Sequence, residues 1–62
     1  MELMTPEEVA AVLRLSPYTV RKMLRNGELM GLRVGRWQWR VKREDLDAYI
    51  EKQTHEARDQ EH

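Results

Sequence analysis

Nine lysines and arginines lie between residues 14 and 43 of this 62-residue chain: Arg14, Arg21, Lys22, Arg25, Arg33, Arg36, Arg40, Lys42 and Arg43. Only Glu28 opposes them, so the segment carries a net +8 although the whole chain is neutral. Residues 1–13 carry −3 and residues 44–62 carry −5. A basic block between acidic ends attracts a polyanion whatever the total charge. The chemistry of such groups is binding. The inventory for bond making is poor. There is no cysteine, and the two histidines, His55 and His62, lie in a polar terminal stretch, short of the roughly four ligands of a structural zinc site. Glu44, Asp45 and Asp47 fall at a helix start with no pocket to raise a carboxyl pKa. Ser16 and Thr5 are accounted for as helix caps, and no nucleophile has a base beside it. The residues predict a binding protein and not an enzyme, with no metal and no cofactor.

The cations need elements to hold them. The stretch Ser16-Pro17-Tyr18-Thr19-Val20-Arg21-Lys22-Met23-Leu24-Arg25, closed by Asn26-Gly27, reads as a short helix. The Ser16 hydroxyl can accept a free amide proton of the first turn, Pro17 suits the first helical position, and Gly27 supplies the left-handed stop. At about 100° per residue Val20, Met23 and Leu24 share one side. Tyr18, Lys22 and Arg25 fall opposite, with Arg21 on the flank. This helix is expected to enter the major groove of DNA.

Ahead of it, Thr5-Pro6-Glu7-Glu8 opens a first helix with a capping box between Thr5 and Glu8. Val9, Val12 and Leu13 are its expected apolar side, with Leu3 and Met4 packing over it as an extended lead-in. Leu15 is the expected buried plug of a turn of about three or four residues, which makes the two helices a helix-turn-helix pattern. After Gly27 the period becomes two: Met30, Leu32 and Val34, a turn at Gly35-Arg36, then Trp37, Trp39 and Val41. The hairpin is expected to pack Leu32, Val34, Trp39 and Val41 on the helices and to show Arg33, Gln38 and Arg40 outward, with Arg36 at the tip. Trp39 is the expected largest core contributor. Trp37 reads either as half-buried packing or as a wedge or stacking surface against a sugar or base. A last helix runs from Lys42 to about Gln53 on Leu46, Tyr49, Ile50 and Gln53. The fold class is therefore mainly α with a small β-hairpin, a winged helix-turn-helix in the order α-α-β-β-α. Residues 1–53 form the domain, and 54–62 are expected to be a disordered polar tail.

A chain this short buries only about 60% of its unfolded surface. It has no signal-like start and no run near the roughly 20 apolar residues of a membrane span, so a cytoplasmic, nucleoid-associated protein is expected. For double-stranded DNA, Lys22 and Arg25 are the candidates for base edges, since arginine can take guanine O6 and N7 bidentately. Tyr18 and Thr19 suit a thymine methyl or a phosphate, and Ser16 with its helix-start amides suits a phosphate. Arg33, Arg36 and Arg40 are expected along the backbone or in the narrow groove. Arg21, Lys42 and Arg43 are phosphate contacts or partners for nearby acids. RNA ranks lower, because no exposed aromatic sheet is expected to stack bases.

The run Leu3-Met4-Thr5-Pro6-Glu7-Glu8-Val9-Ala10, then Leu15-Ser16-Pro17-Tyr18-Thr19-Val20, Asn26-Gly27-Glu28-Leu29, Arg33-Val34-Gly35-Arg36, Trp39-Arg40-Val41 and Arg43-Glu44-Asp45-Leu46-Asp47-Ala48-Tyr49 resembles the excisionase-type, MerR-like winged helix-turn-helix domains. These are small DNA-binding modules of phages, mobile elements and bacterial regulators. The resemblance implies that helix 17–26 reads the major groove and that hairpin 30–41 is a wing on backbone or minor groove. It departs at the wing turn Gly35-Arg36-Trp37-Gln38, one residue longer than usual, at Lys42 where proline is common, and in lacking a dimerising coiled coil after Gln53. It implies an excisionase-like role, directing a recombinase or integrase by architectural DNA binding. Two other roles stay open: a compact MerR-like transcription regulator, or an interaction module for an acidic partner such as an integrase. A monomer in solution that assembles side by side on DNA is the expected state.

Overall fold

The computed structural model describes residues 2–59, with side chains described through residue 55. The elements run β1 (Leu3–Met4), α1 (Pro6–Leu13), α2 (Pro17–Asn26), β2 (Leu32–Val34), β3 (Gln38–Lys42) and α3 (Arg43–Asp59). Three helices thus pack with a small antiparallel sheet of order β1-β3-β2, the winged helix-turn-helix expected from the residues.

Local chemistry sets the helix ends. Thr5 and Glu8 form a reciprocal capping box, Thr5 N donating to Glu8 Oε1 at 2.8 Å and Glu8 N to Thr5 Oγ1 at 3.1 Å. α1 stops at Arg14, which takes the left-handed conformation at φ 58°, so that the Leu15 N–H reaches the Ala10 carbonyl at 2.9 Å. Ser16 then caps α2 and accepts from Thr19 N at 3.1 Å. At the far end Gly27 is left-handed at φ 80°. The chain folds back there, with Glu28 N donating to the Met23 carbonyl at 2.9 Å. That reversal drives Leu29 into the core at 1% exposure, the hydrophobic closure common after such a cap.

The core comprises Met4, Val9, Ala10, Val20, Met23, Leu24, Leu29, Val41 and Leu46, with Leu13, Trp39 and Tyr49 packed at its edge. No polar or charged side chain among the described residues is buried, so every described cation lies at the surface. α2 buries Val20, Met23 and Leu24, as its spacing predicts. β3 is the hub: it pairs with β1 and β2 and also touches α1 and α3.

Several expectations are corrected. Val12 is 46% exposed and Leu15 41%. Ala10 takes the buried place expected for Val12 because α1 meets its neighbours along Val9 and Ala10, and Leu15 is turned outward at the capped corner. The extended lead-in expected at Leu3 and Met4 is a strand paired with β3, Leu3 opposite Lys42 and Met4 opposite Val41. Lys42 accordingly ends β3 and does not begin the last helix. Trp39 is partly buried at the core edge, while the largest fully buried side chains are Leu29, Leu46, Val9, Val20 and Val41. α3 continues past Gln53 to Asp59. Thr54 Oγ1 bonds the Ile50 carbonyl at 2.9 Å and His55 pairs with Glu51 at 3.1 Å, and Glu, Lys, Gln, Ala and Arg are strong helix formers. The expected polar tail is therefore helical over 54–59, and its last residues, 60–62, lie outside the described residues.

The hairpin departs furthest from its expected faces. Its register pairs Leu32 with Arg40, Arg33 with Trp39 and Val34 with Gln38. The turn is Gly35, Arg36 and Trp37, one residue more than Gly35-Arg36. Opposed residues share a face, and a one-residue slip exchanges the faces of one strand against the other. Arg33 therefore lies with Trp39, and Leu32 and Val34 lie with Arg40 and Gln38, where alternation alone had grouped Leu32, Val34, Trp39 and Val41.

Gly31 leads into the wing against α2. A Cβ there would collide with the Leu24 side chain and come within 3.1 Å of the Arg40 carbonyl oxygen. Gly31→Ala is expected to destabilise the domain by about 1–3 kcal/mol through overpacking, read as a lowered urea midpoint with an unchanged slope.

Candidate nucleic-acid interface

The two basic elements meet in a cleft between α2 and the wing. Arg21 and Arg25 from α2, Arg33 from β2, Arg36 and Trp37 from the turn, and Trp39 from β3 line it. Four guanidinium groups thus share one concavity with two indoles and no acid. The i, i+4 spacing of Arg21 and Arg25 places both on the side of α2 that faces the wing. The corrected register brings Arg33 to the same cleft, because it puts Arg33 beside Trp39.

Each cation has a distinct setting. The Arg33 guanidinium lies over the Trp39 ring, 4.9 Å from its centroid, a cation–π contact that holds the arginine on the wing. Arg21 forms a hydrogen-bonded ion pair with Glu7 of α1. Arg40 is partly buried and engaged within its own strand, Nη1 donating to the Trp39 carbonyl at 2.8 Å and Nη2 to Gln38 Oε1 at 3.1 Å. It lines an adjoining cleft with Thr5, Pro6, Glu7 and Gln38, and Arg21, Trp37 and Trp39 border both clefts. Arg43 pairs with Asp47 at 3.3 Å. Of the three cations read as phosphate contacts or partners for acids, Arg21 and Arg43 have acid partners. Arg25 and Arg36 are exposed.

The remaining candidates lie around this rim. Lys22 is exposed on α2, and Tyr18 is 68% exposed; neither is engaged in the core. Ser16 Oγ and Thr19 Oγ1 stand 2.9 Å apart and share a hydrogen bond at the start of α2. Trp37 is 84% exposed, the most open of the large hydrophobic residues described, so half-buried packing does not describe it. The Glu7–Arg21 pair joins elements fourteen residues apart, and periodicity carries no signal for it.

This arrangement is that of a winged helix-turn-helix, the class in which the second helix of the pair is presented to duplex DNA. A family described as "Helix-turn-helix domain" matches residues 3–54, and the chain belongs to that family of DNA-binding domains. Two Mycobacterium tuberculosis proteins, one from strain CDC 1551 / Oshkosh and one from strain H37Rv, are each 51% identical to it over 35 residues, covering 56% of this chain and 45% of theirs. Both bear the name "Putative DNA-binding protein". The chain thus matches about half the length of these curated relatives. No solved structure matches it. Among the described residues no helix is long and apolar enough to cross a membrane.

The hydrogen bond from Arg21, with help from its own backbone amide, holds the Glu7 carboxyl below its ordinary value of 4.5. A lowered carboxyl pKa gives a contribution that is complete above pH 4.5 and disappears as pH falls through the lowered value. A carbon-13 NMR titration is expected to show a Glu7 midpoint below 4.5 that returns towards 4.5 in Arg21→Ala. A midpoint indifferent to Arg21 would mean that the pair does not persist in solution.

Proposed function

We propose that this domain is a sequence-specific double-stranded DNA-binding protein of excisionase type. α2 lies in the major groove and the β2–β3 wing on the adjacent backbone and minor groove. The observation that carries the reading is the cleft in which Arg21, Arg25, Arg33 and Arg36 converge from two elements. One strand of a duplex, entering between helix and wing, meets cations from both sides. Lys22 and Arg25 are the base readers, with Tyr18 and Thr19 beside them. Ser16, Arg21, Arg33, Arg36 and Arg40 serve the phosphates, Arg21 after exchanging Glu7 for a phosphate oxygen. The chain acts without cofactor or catalysis.

The biological role follows the sequence resemblance. The domain bends or coats DNA so that a recombinase or integrase acts on it, as a nucleoid-associated monomer that assembles cooperatively on adjacent sites. The family match and the named relatives support DNA as the partner. A role as a compact MerR-like transcription regulator uses the same interface. An excision assay with a candidate integrase separates the two: stimulated excision supports the first, and altered transcription alone supports the second. An interaction module for an acidic protein predicts instead that a Lys22→Ala/Arg25→Ala variant loses both DNA and the protein partner.

Two outcomes are expected in solution. For about four phosphates neutralised by arginine, log affinity should fall with log salt at a slope of about −3 to −4; a flat salt response would contradict the reading. Arg25→Ala should cost about 1–3 kcal/mol of discrimination between selected and scrambled duplexes. Arg36→Ala should instead weaken both alike and reduce the salt slope by about 1. Competition binding over a salt series measures both, and equal behaviour of the two variants would remove the assignment of reader and anchor.

A further inference from the structure

Trp37 stands at the tip of the wing with 84% of its surface exposed. The turn that carries it opens at Gly35, left-handed at φ 66°, where an added Cβ would meet no atom within 4 Å. Two residues on, Trp39 is held at the core edge beneath Arg33. The base of the hairpin is thus anchored, and its tip offers a large flat apolar ring to the outside.

The surroundings select what that ring meets. Trp37 lines the cleft that holds Arg21, Arg25, Arg33 and Arg36. An apolar protein face laid against it would strip water from guanidinium groups without supplying counter-charge, which is costly. A lipid-like or aromatic small molecule would leave the same cations unanswered. A nucleic-acid duplex answers both needs, because sugar edges and base faces lie just inside a double row of phosphates. Apolar side chains that reach that depth act by inserting at a base step and unstacking it, which kinks the duplex.

We infer that Trp37 is a DNA wedge: its indole enters the minor groove beside the site covered by α2, unstacks one base step and bends the duplex. The inference rests on the DNA-binding reading above and adds to it the side chain that makes the bend and the base step at which it acts. Arg36, next to it in the turn, and Arg33, which lines the same cleft, hold the phosphates on either side of the opened step. Specificity then arises partly at a position the protein does not read by hydrogen bonds, since flexible pyrimidine–purine steps open most easily.

The test uses the whole chain and a duplex it selects from a random pool. The duplex carries a donor–acceptor dye pair at its ends and 2-aminopurine placed in turn at each step beside the α2 site. The wild-type protein is expected to shorten the end-to-end distance and to brighten 2-aminopurine at one step. Trp37→Ala, whose exposed position should leave the melting temperature unchanged, is expected to bind about tenfold more weakly, in the range for loss of one stacked aromatic, and to leave the duplex straight and stacked. Trp37→Phe should retain part of the bend. A wild-type complex whose duplex is straight and stacked, or a Trp37→Ala complex as bent and bright as the wild type, overturns the wedge while leaving DNA binding intact. Failure of the wild type to retain any duplex at low salt overturns the wedge and the DNA reading together.

Discussion

Val41 is where the molecule is joined. It is fully buried on β3, opposite Met4 of β1, in the strand that touches β1, β2, α1 and α3. Gly31, entering the wing, sits against Leu24 of α2, the Arg40 carbonyl and Val41, so that an added Cβ would have to displace the Leu24 side chain. A two-stranded ribbon is marginal alone. Here it is held by an added edge strand and by α1 and α3, which pack on β3, with Leu24 of α2 against Gly31 at its entrance. The relative placement of helix and wing, and hence of their cations, depends on this junction.

With the junction in place, an entirely apolar core leaves every described charge at the surface, and the surface becomes a matter of direction. Arg21 and Arg25 face the wing from α2, and Arg33 and Arg36 face α2 from the wing. Each of these guanidiniums alone is an ordinary solvated group. Their convergence raises the local positive potential in a concave site, where field lines are focused. Glu7 tempers that field at one edge by holding Arg21, a contact between α1 and α2 that also ties the helical pair together on its outer side.

What the residues disclosed in advance follows the range of the forces involved. Ser16, Thr5, Glu8 and Gly27 act within one helical turn, so both ends of α2 and the start of α1 were legible from neighbours alone. The burial of Val20, Met23 and Leu24 followed from their spacing. The basic rim was legible as a charge block, because it needed only the elements and not their exact packing. The hairpin faces were not legible, since they hang on whether the turn has two residues or three, and Arg36-Trp37 satisfies either count by type. Leu29 gave no periodic signal, because its burial is set by the reversal after Gly27. Val12 and Leu15 are apolar by type, yet the direction from which the sheet approaches α1 leaves them outside. The extension of α3 to Asp59 rests on helix-forming residues and short-range pairs in a segment whose low hydrophobicity had suggested a tail.

The most direct test of the central claim, that α2 and the wing offer one shared surface to a duplex, is a residue-resolved NMR titration of the protein with double-stranded DNA. The account predicts that the largest shift changes fall together on Lys22, Arg25, Arg33, Arg36 and Trp37, along a single saturation curve, with Tyr49 and Lys52 of α3 unmoved. Changes centred on α3, or wing and α2 responding with different affinities, would contradict it.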